Sequence, residues 1–219
     1  MPSQKVDTLL ARNRKERFSS MKTVIIKYNA GNIRSVNNAI HRLGYKAEIT
    51  AEPDKIVKAD KVIFPGVGEA TKTMDYLNKT GLGNIIKELK QPVLGICLGM
   101  QLMCSHSEEG DVACFDIFAE KVKKFNLPIP NPDNIKVPHM GWNRIHDLKG
   151  DIFDSSIEGE YVYFVHSYFV ATGVHTTATT DYILPYSSAL QKDNFFATQF
   201  HPEKSGKVGE KILSNFLKL

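Results

Sequence analysis

Pro92-Val93-Leu94-Gly95-Ile96-Cys97-Leu98-Gly99-Met100-Gln101 decides how the rest of this chain is read. The apolar run up to Ile96 reads as a buried strand, and the residues from Leu98 read as the start of a helix. Cys97 then stands at the sharp turn between them. A side chain there is held in a strained backbone position, and the glycines at 95 and 99 fall where larger side chains would collide. The helix opening at Leu98 points free N–H groups at the sulfur and favours the thiolate, which makes Cys97 a candidate nucleophile. A buried structural cysteine is the competing reading.

A second stretch, Gln199-Phe200-His201-Pro202-Glu203, bears on that choice. A thiol attacking a carbonyl carbon needs a base to take its proton and an acid to return it to the leaving group, and one imidazole does both. In an extended segment residues i and i+2 point the same way, so Glu203 is expected to accept from the other ring nitrogen of His201 and fix its tautomer. His-x-Glu is also half of a zinc deaminase site, but the Pro-Cys-x-x-Cys ligand pair of that chemistry is absent and no metal is expected. A third stretch, Lys61-Val62-Ile63-Phe64, reads as a buried strand running into Pro65-Gly66-Val67-Gly68. Its glycines let backbone N–H groups turn toward a ligand, and with the N–H of Leu98 they would form an oxyanion hole. An ordinary strand-to-helix turn is the plainer reading of that loop.

These stretches, together with Tyr163-Phe164-Val165-His166-Ser167-Tyr168 and Pro202-Glu203-Lys204-Ser205-Gly206, resemble the class I, triad-type glutamine amidotransferases. More narrowly they are similar to the glutaminase subunits of imidazole glycerol phosphate synthases, from Met21 to the C-terminus. Tyr28-Asn29-Ala30-Gly31-Asn32 is similar to the first loop of these subunits, and Gly141-Trp142-Asn143 to a later segment. The resemblance implies a flavodoxin-like α/β domain: a central, mostly parallel sheet flanked by helices, with a β-rich C-terminal half. It implies a Cys97–His201–Glu203 triad, an oxyanion site at Gly66, Val67, Gly68 and Leu98, and glutamine held by Gln101, Ser167 and Tyr168. It also implies a partner, a (β/α)₈ cyclase that receives the ammonia, for which Asn29, Asn32, Trp142 and Asn143 are the expected contacts. A core anchor is the alternative for Trp142, and a core histidine the plainer reading of His166. The chain departs from the family at Ala113-Cys114-Phe115, Ala119 and Ala197, where glycines are usual; none touches the triad.

Composition sets limits around this reading. The chain has 219 residues, 28 basic against 24 acidic, for a net charge of +4. Lys5, Arg12, Arg14, Lys15 and Arg17 against Asp7 and Glu16 give the first twenty residues +3 of that, so residues 21–219 are nearly neutral and no nucleic-acid surface is expected. Residues 1–20 lack the apolar core of a secretory signal and read as an upstream extension ahead of a domain at 21–219, with organelle targeting the alternative. No run approaches the about 18 apolar residues of a membrane span. Three cysteines without paired spacing point to reduced thiols and a cytoplasmic protein. The phosphate-binding and dinucleotide fingerprints are absent, so no cofactor is expected, and no second domain is available to hold an ammonia acceptor.

Helical spacing over Ile33–Leu43 and Leu82–Leu89, with strands at Ala47–Ile49 and Pro92–Ile96, gives the strand-helix alternation of a parallel sheet. A helix is expected over Leu98–Ser105. Beyond Phe115 the expected pieces are strands at Lys121–Phe125, Tyr161–Val170, Thr176–Thr180, Ser188–Gln191 and Phe195–Phe200, then a closing helix over Lys207–Leu219. Asn126–Pro138, with four prolines, reads as a surface loop. Glutaminase subunits of the anthranilate or aminodeoxychorismate type, a free-standing γ-glutamyl hydrolase and an inactive binding module remain alternatives.

Overall fold

The computed structural model describes residues 21–28, 32–132 and 134–219. Its first half alternates strand and helix: β1 (Thr23–Ile26), α1 (Ile33–Arg42), β2 (Ala47–Thr50), α2 (Pro53–Val57), β3 (Lys61–Gly66), α3 (Ala70–Thr80), α4 (Leu82–Glu88), β4 (Val93–Cys97) and α5 (Leu98–Met103). After the short β5 (His106–Ser107) and β6 (Val112–Ala113) come β7 (Lys121–Lys124), β8 (His139–Arg144), β9 (Tyr161–His166), β10 (Tyr168–Val170), β11 (Thr176–Asp181), β12 (Pro185–Lys192) and β13 (Phe195–Thr198). The chain closes on α6 (Gly206–Lys218).

Strands β2, β1, β3, β4 and β13 lie side by side and parallel, and β12, β10 and β7 extend the sheet in antiparallel fashion. Side-chain alternation explains the helical layers. Val24, Ile26, Val62 and Phe64 point to one face, where they meet Ile56, Met74, Leu77, Leu82, Ile86 and Met100 of α2–α5. Ile25, Ile63, Leu94 and Ile96 point to the other, against Val36 and Ile40 of α1 and Ile212, Leu213 and Phe216 of α6. Two apolar faces on one sheet require two helical layers.

Three local differences from the sequence expectations matter for the site. The stretch Tyr161–Val170 is not one strand: it breaks at Ser167, with β9 pairing β8 in a separate two-stranded ribbon and β10 joining the main sheet. The helix after Cys97 stops at Met103 instead of Ser105, because Cys104 turns extended with ψ 177°. Strand β8, within which only Gly141-Trp142-Asn143 stood out as a motif, is set by its full register with β9 from His139↔His166 to Arg144↔Tyr161. No helix among the described residues is long and apolar enough to cross a membrane.

Candidate active site

The carboxyl ends of β3, β4 and β13 converge on one edge of the sheet, the edge at which parallel α/β sheets bind ligands. Cys97 closes β4 at φ 54° and ψ −109°, a conformation that costs a non-glycine residue about 1–3 kcal/mol. Close packing imposes it. A Cβ on Gly99 would stand 2.0 Å from the Phe64 carbonyl oxygen, and one on Gly95 would stand 2.9 Å from the Met103 sulfur. Helix α5 therefore crosses β3 and β4 nearly in contact with their backbones, and the chain turns abruptly at Cys97 to enter it.

The expected oxyanion segments adjoin. A Cβ on Gly66 would lie 2.5 Å from the Gly99 nitrogen and 2.7 Å from Leu98 Cβ, so the end of β3 rests on the Leu98–Gly99 peptide. Gly68, at φ 115°, is exposed with open space beside it, and Val67 between the two is half-buried. Tyr28, whose ring packs on Phe64, donates its hydroxyl proton to the Pro65 carbonyl and fixes the peptide that leads into Gly66.

His201 follows β13 and is 2 % exposed. Its N–H donates to the Tyr163 carbonyl at 2.9 Å, and its carbonyl accepts from the Ser205 hydroxyl at 2.6 Å, so both ends of the residue are tied. The segment beyond is not extended as expected: Pro202–Lys204 is a 3₁₀ turn, with proline at its start where a missing N–H costs nothing. That turn carries Glu203 back so that its Oε1 accepts from His201 Nδ1 at 2.8 Å. Asn32, at the left-handed entrance to α1 (φ 69°), donates its amide proton to the same Oε1. With Glu203 on Nδ1, Nε2 is the ring nitrogen left for Cys97. Burial lowers the proton affinity of the ring, but Cys97 on one side and Glu203 on the other outweigh it and push His201 up to about 10.

Gln101 and Gln199 line the floor beside Cys97. Gln101 Nε2 donates to the Tyr168 carbonyl and to Gln199 Oε1, both at 2.9 Å, and Gln199 Nε2 donates to Cys97 Sγ at 3.7 Å. The Gln101 amide nitrogen is thus committed to the protein and buried, while Ser167 and Tyr168 stand half-buried at the β9–β10 break. The Val165 carbonyl is 3.9 Å from Sγ, so β9 forms one wall of the site. Of the other two cysteines, burial pushes Cys114 up to about 12 and raises Cys104 well above its ordinary value, which leaves both unreactive as thiolates. Among the described residues no group of three or more His, Cys, Asp or Glu is placed to hold a metal ion.

The expected partner contacts separate. Trp142 is 55 % exposed and meets Tyr163 edge to face, so it is no core anchor. Met140, Trp142 and Arg144 alternate outward along β8 opposite Val165, Tyr163 and Tyr161, which makes one face of the ribbon broadly apolar. Asn143 points the opposite way and donates to the Asp181 carbonyl at 2.9 Å. Asn32 contacts Glu203, and Asn29 lies outside the described residues, as do residues 1–20. Sequence reasoning missed Tyr28, Gln199, Met140 and Tyr161 as site or rim residues. Tyr28 and Gln199 lay inside stretches that carried the family resemblance, and the alternation of Tyr161-Val162-Tyr163 could have found Tyr161.

Cys97, His201 and Glu203 meet beside a strand-to-helix turn of an α/β sheet, and comparison with known proteins gives the family. Residues 18–219 match the family described as glutamine amidotransferase class-I. An imidazole glycerol phosphate synthase subunit HisH from Bacteroides thetaiotaomicron is 59% identical over 199 residues, 91% of this chain and 100% of the relative. The HisH of Escherichia coli strain K12 is 44% identical over 204 residues, with the same coverage of both chains. Among solved structures, a glutamine amidotransferase superposes with a TM-score of 0.66 at 16% identity, covering 89% of this chain and 97% of that one. PurLQS from Thermotoga maritima superposes with 0.64 at 14% identity, covering 90% and 98%. Those two likenesses concern the fold. The chain belongs to the class I glutamine amidotransferases, and within them to the HisH subunits.

Proposed function

We propose that this chain is the glutaminase subunit of an imidazole glycerol phosphate synthase, and that residues 21–219 are its catalytic domain. The Cys97 thiolate attacks the side-chain amide carbon of glutamine, forming a C–S bond. The oxyanion rests on backbone N–H groups at Gly66–Gly68 and Leu98. Protonated His201 gives its proton to the amide nitrogen, the C–N bond breaks, and ammonia leaves a γ-glutamyl thioester on Cys97. His201, now neutral, takes a proton from water as the water oxygen attacks the thioester; glutamate departs and the thiolate returns beside the imidazolium. Gln101, Ser167 and Tyr168 hold the substrate's amino-acid end. One observation carries this reading: His201 Nδ1 is held by Glu203 at 2.8 Å, so Nε2 is the ring nitrogen left for a cysteine at a strained strand-to-helix turn.

The ammonia passes to a (β/α)₈ cyclase subunit, which uses it to make imidazole glycerol phosphate and an aminoimidazole carboxamide ribotide. The outward face of the β8–β9 ribbon supports such a partner, because large exposed apolar side chains gather beside the wall of the active site. Free thiols at all three cysteines support a cytoplasmic setting. Glutamate release by the isolated chain, by its complex with the cyclase, and by that complex with the ribonucleotide bound tests the whole. The rate is expected to rise in that order. Equal rates in all three would favour a free-standing hydrolase.

A further inference from the structure

Behind the active-site wall, on the inner side of the ribbon, five residues form a hydrogen-bond chain whose proton order is fixed from both ends. At one end the Asn143 amide is oriented by Arg144 N–H, which donates to Oδ1 at 2.8 Å, and by the Asp181 carbonyl, which accepts from Nδ2 at 2.9 Å. The second Nδ2 proton faces His139 Nε2 at 3.4 Å, so that nitrogen accepts and His139 carries its proton on Nδ1. His139 Nδ1 lies 3.1 Å from the Tyr186 hydroxyl. At the other end His166 Nδ1 stands 2.7 Å from the Tyr168 carbonyl and must be its donor, which leaves Nε2 to accept from the Tyr186 hydroxyl at 3.3 Å. Tyr186 therefore accepts from one histidine and donates to the other.

The surroundings are apolar. Tyr186 is fully buried, and Phe125, Phe164 and Phe169 meet its ring. His139 is stacked between Phe164 and Tyr182. A wholly apolar core would fill this space without the desolvation cost of two imidazoles and a phenol, whereas a fully satisfied buried network holds one arrangement of its members. What this network holds is the Tyr168 carbonyl, which also accepts from Gln101, and Gln101 leads through Gln199 to Cys97 Sγ.

We propose that Tyr186 is a positioning residue for glutamine binding: its hydroxyl locks the tautomers of His139 and His166, and they hold the Ser167–Tyr168 backbone and the Gln101 amide in register with Cys97. This rests on the glutaminase reading given above. The test is steady-state glutaminase kinetics of the cyclase complex with ribonucleotide bound, alongside thermal melting and cyclisation supplied with free ammonium. Tyr186→Phe removes only the hydroxyl. It is expected to raise KM for glutamine about fivefold to tenfold, the equivalent of one buried hydrogen bond, with kcat within about twofold and ammonium-fed cyclisation unchanged. His166→Asn, whose amide can still donate to the Tyr168 carbonyl, is expected to bind glutamine several-fold better than His166→Phe; this pair decides the matter if Tyr186→Phe does not fold. An unchanged KM in folded Tyr186→Phe, or equal KM in the two His166 variants, overturns the relay and leaves the glutaminase reading standing. A wild-type complex that releases no glutamate overturns both.

Discussion

Asn32 and Glu203, 171 positions apart in sequence, are joined side chain to side chain, with Glu203 Oε1 shared between the Asn32 amide and His201 Nδ1. The entrance to α1 thus reaches the carboxylate that holds His201. A carboxylate held by two donors keeps the imidazole in one orientation, so Asn32→Ala is expected to lower kcat/KM for glutamine about tenfold, as the loss of a hydrogen bond to a charged group does. Melting temperature should change little. Kinetics on the cyclase complex check this, and an unchanged kcat/KM would show that Glu203 needs no second donor.

The close passage of α5 over β3 makes Gly99 irreplaceable. Its Cβ position is 2.0 Å from a backbone oxygen, which no rotamer change can relieve, so Gly99→Ala is expected to cost at least about 3 kcal/mol. In a domain of this size that lowers Tm by about 10 °C. Gly44→Ala, where nothing lies within 4 Å and only the φ of +83° is unfavourable, should cost about 1 kcal/mol. Thermal denaturation of both variants decides; similar losses would mean that packing at the Cys97 turn is looser than described.

Buried histidines shape the pH dependence of stability in opposite directions. Burial holds His139 down to about 4 and His166 down to about 3, below the ordinary value near 6.5. The unfolded chain therefore binds these protons more readily, and the stabilisation is complete above pH 6.5 and lost as pH falls through 4 toward 3. His201, raised to about 10, behaves inversely: its stabilisation is complete below about pH 6.5 and lost as pH rises through 10. Urea denaturation across pH is expected to peak near neutrality. His139→Gln should flatten the acid limb, and an acid limb unchanged by it would contradict the assignment.

Trp142 stands half-exposed beside Met140 and Tyr163 on the outer ribbon face. An exposed indole at the centre of an apolar patch is the usual form of an interface anchor, so Trp142→Ala is expected to weaken cyclase binding by about 2 kcal/mol, roughly thirtyfold in Kd. The isolated variant should melt like the wild type. Calorimetric titration with the cyclase measures the effect, and an unchanged Kd would move the interface off this face.

The parts of this site that were legible in the sequence are those made by neighbours along the chain. Gly95 to Gly99 encodes a turn whose steric reasons are all local or one strand away, and His201 with Glu203 lies within one turn of backbone. Even there the geometry differed, because Pro202 starts a 3₁₀ turn where an extended pair was expected. The break at Ser167 was illegible because aromatic residues and valines, all strand formers, flank it on both sides; only the pairing of its two halves with different strands divides it. Strand β8 was hidden for the opposite reason. His139-Met140-Gly141-Trp142-Asn143-Arg144 has weak strand propensity and is held by β9. Asn32, Tyr28 and Tyr186 act through partners far off in sequence; the stretch Tyr28–Asn32 stood out as a motif, but its contacts with Pro65 and Glu203 did not, and nothing local marks Tyr186.

The central claim, that Cys97 is the nucleophile of a glutaminase, is tested most directly by acid-quenching the cyclase complex during glutamine turnover and mapping the mass of the Cys97 peptide. The account expects a γ-glutamyl adduct on Cys97 that accumulates with glutamine, is absent in Cys97→Ser, and is discharged by hydroxylamine as a thioester is; the serine variant should release essentially no glutamate while keeping the wild-type Tm. Wild-type turnover with no adduct at Cys97, together with a serine variant retaining more than about a tenth of the activity, would contradict it.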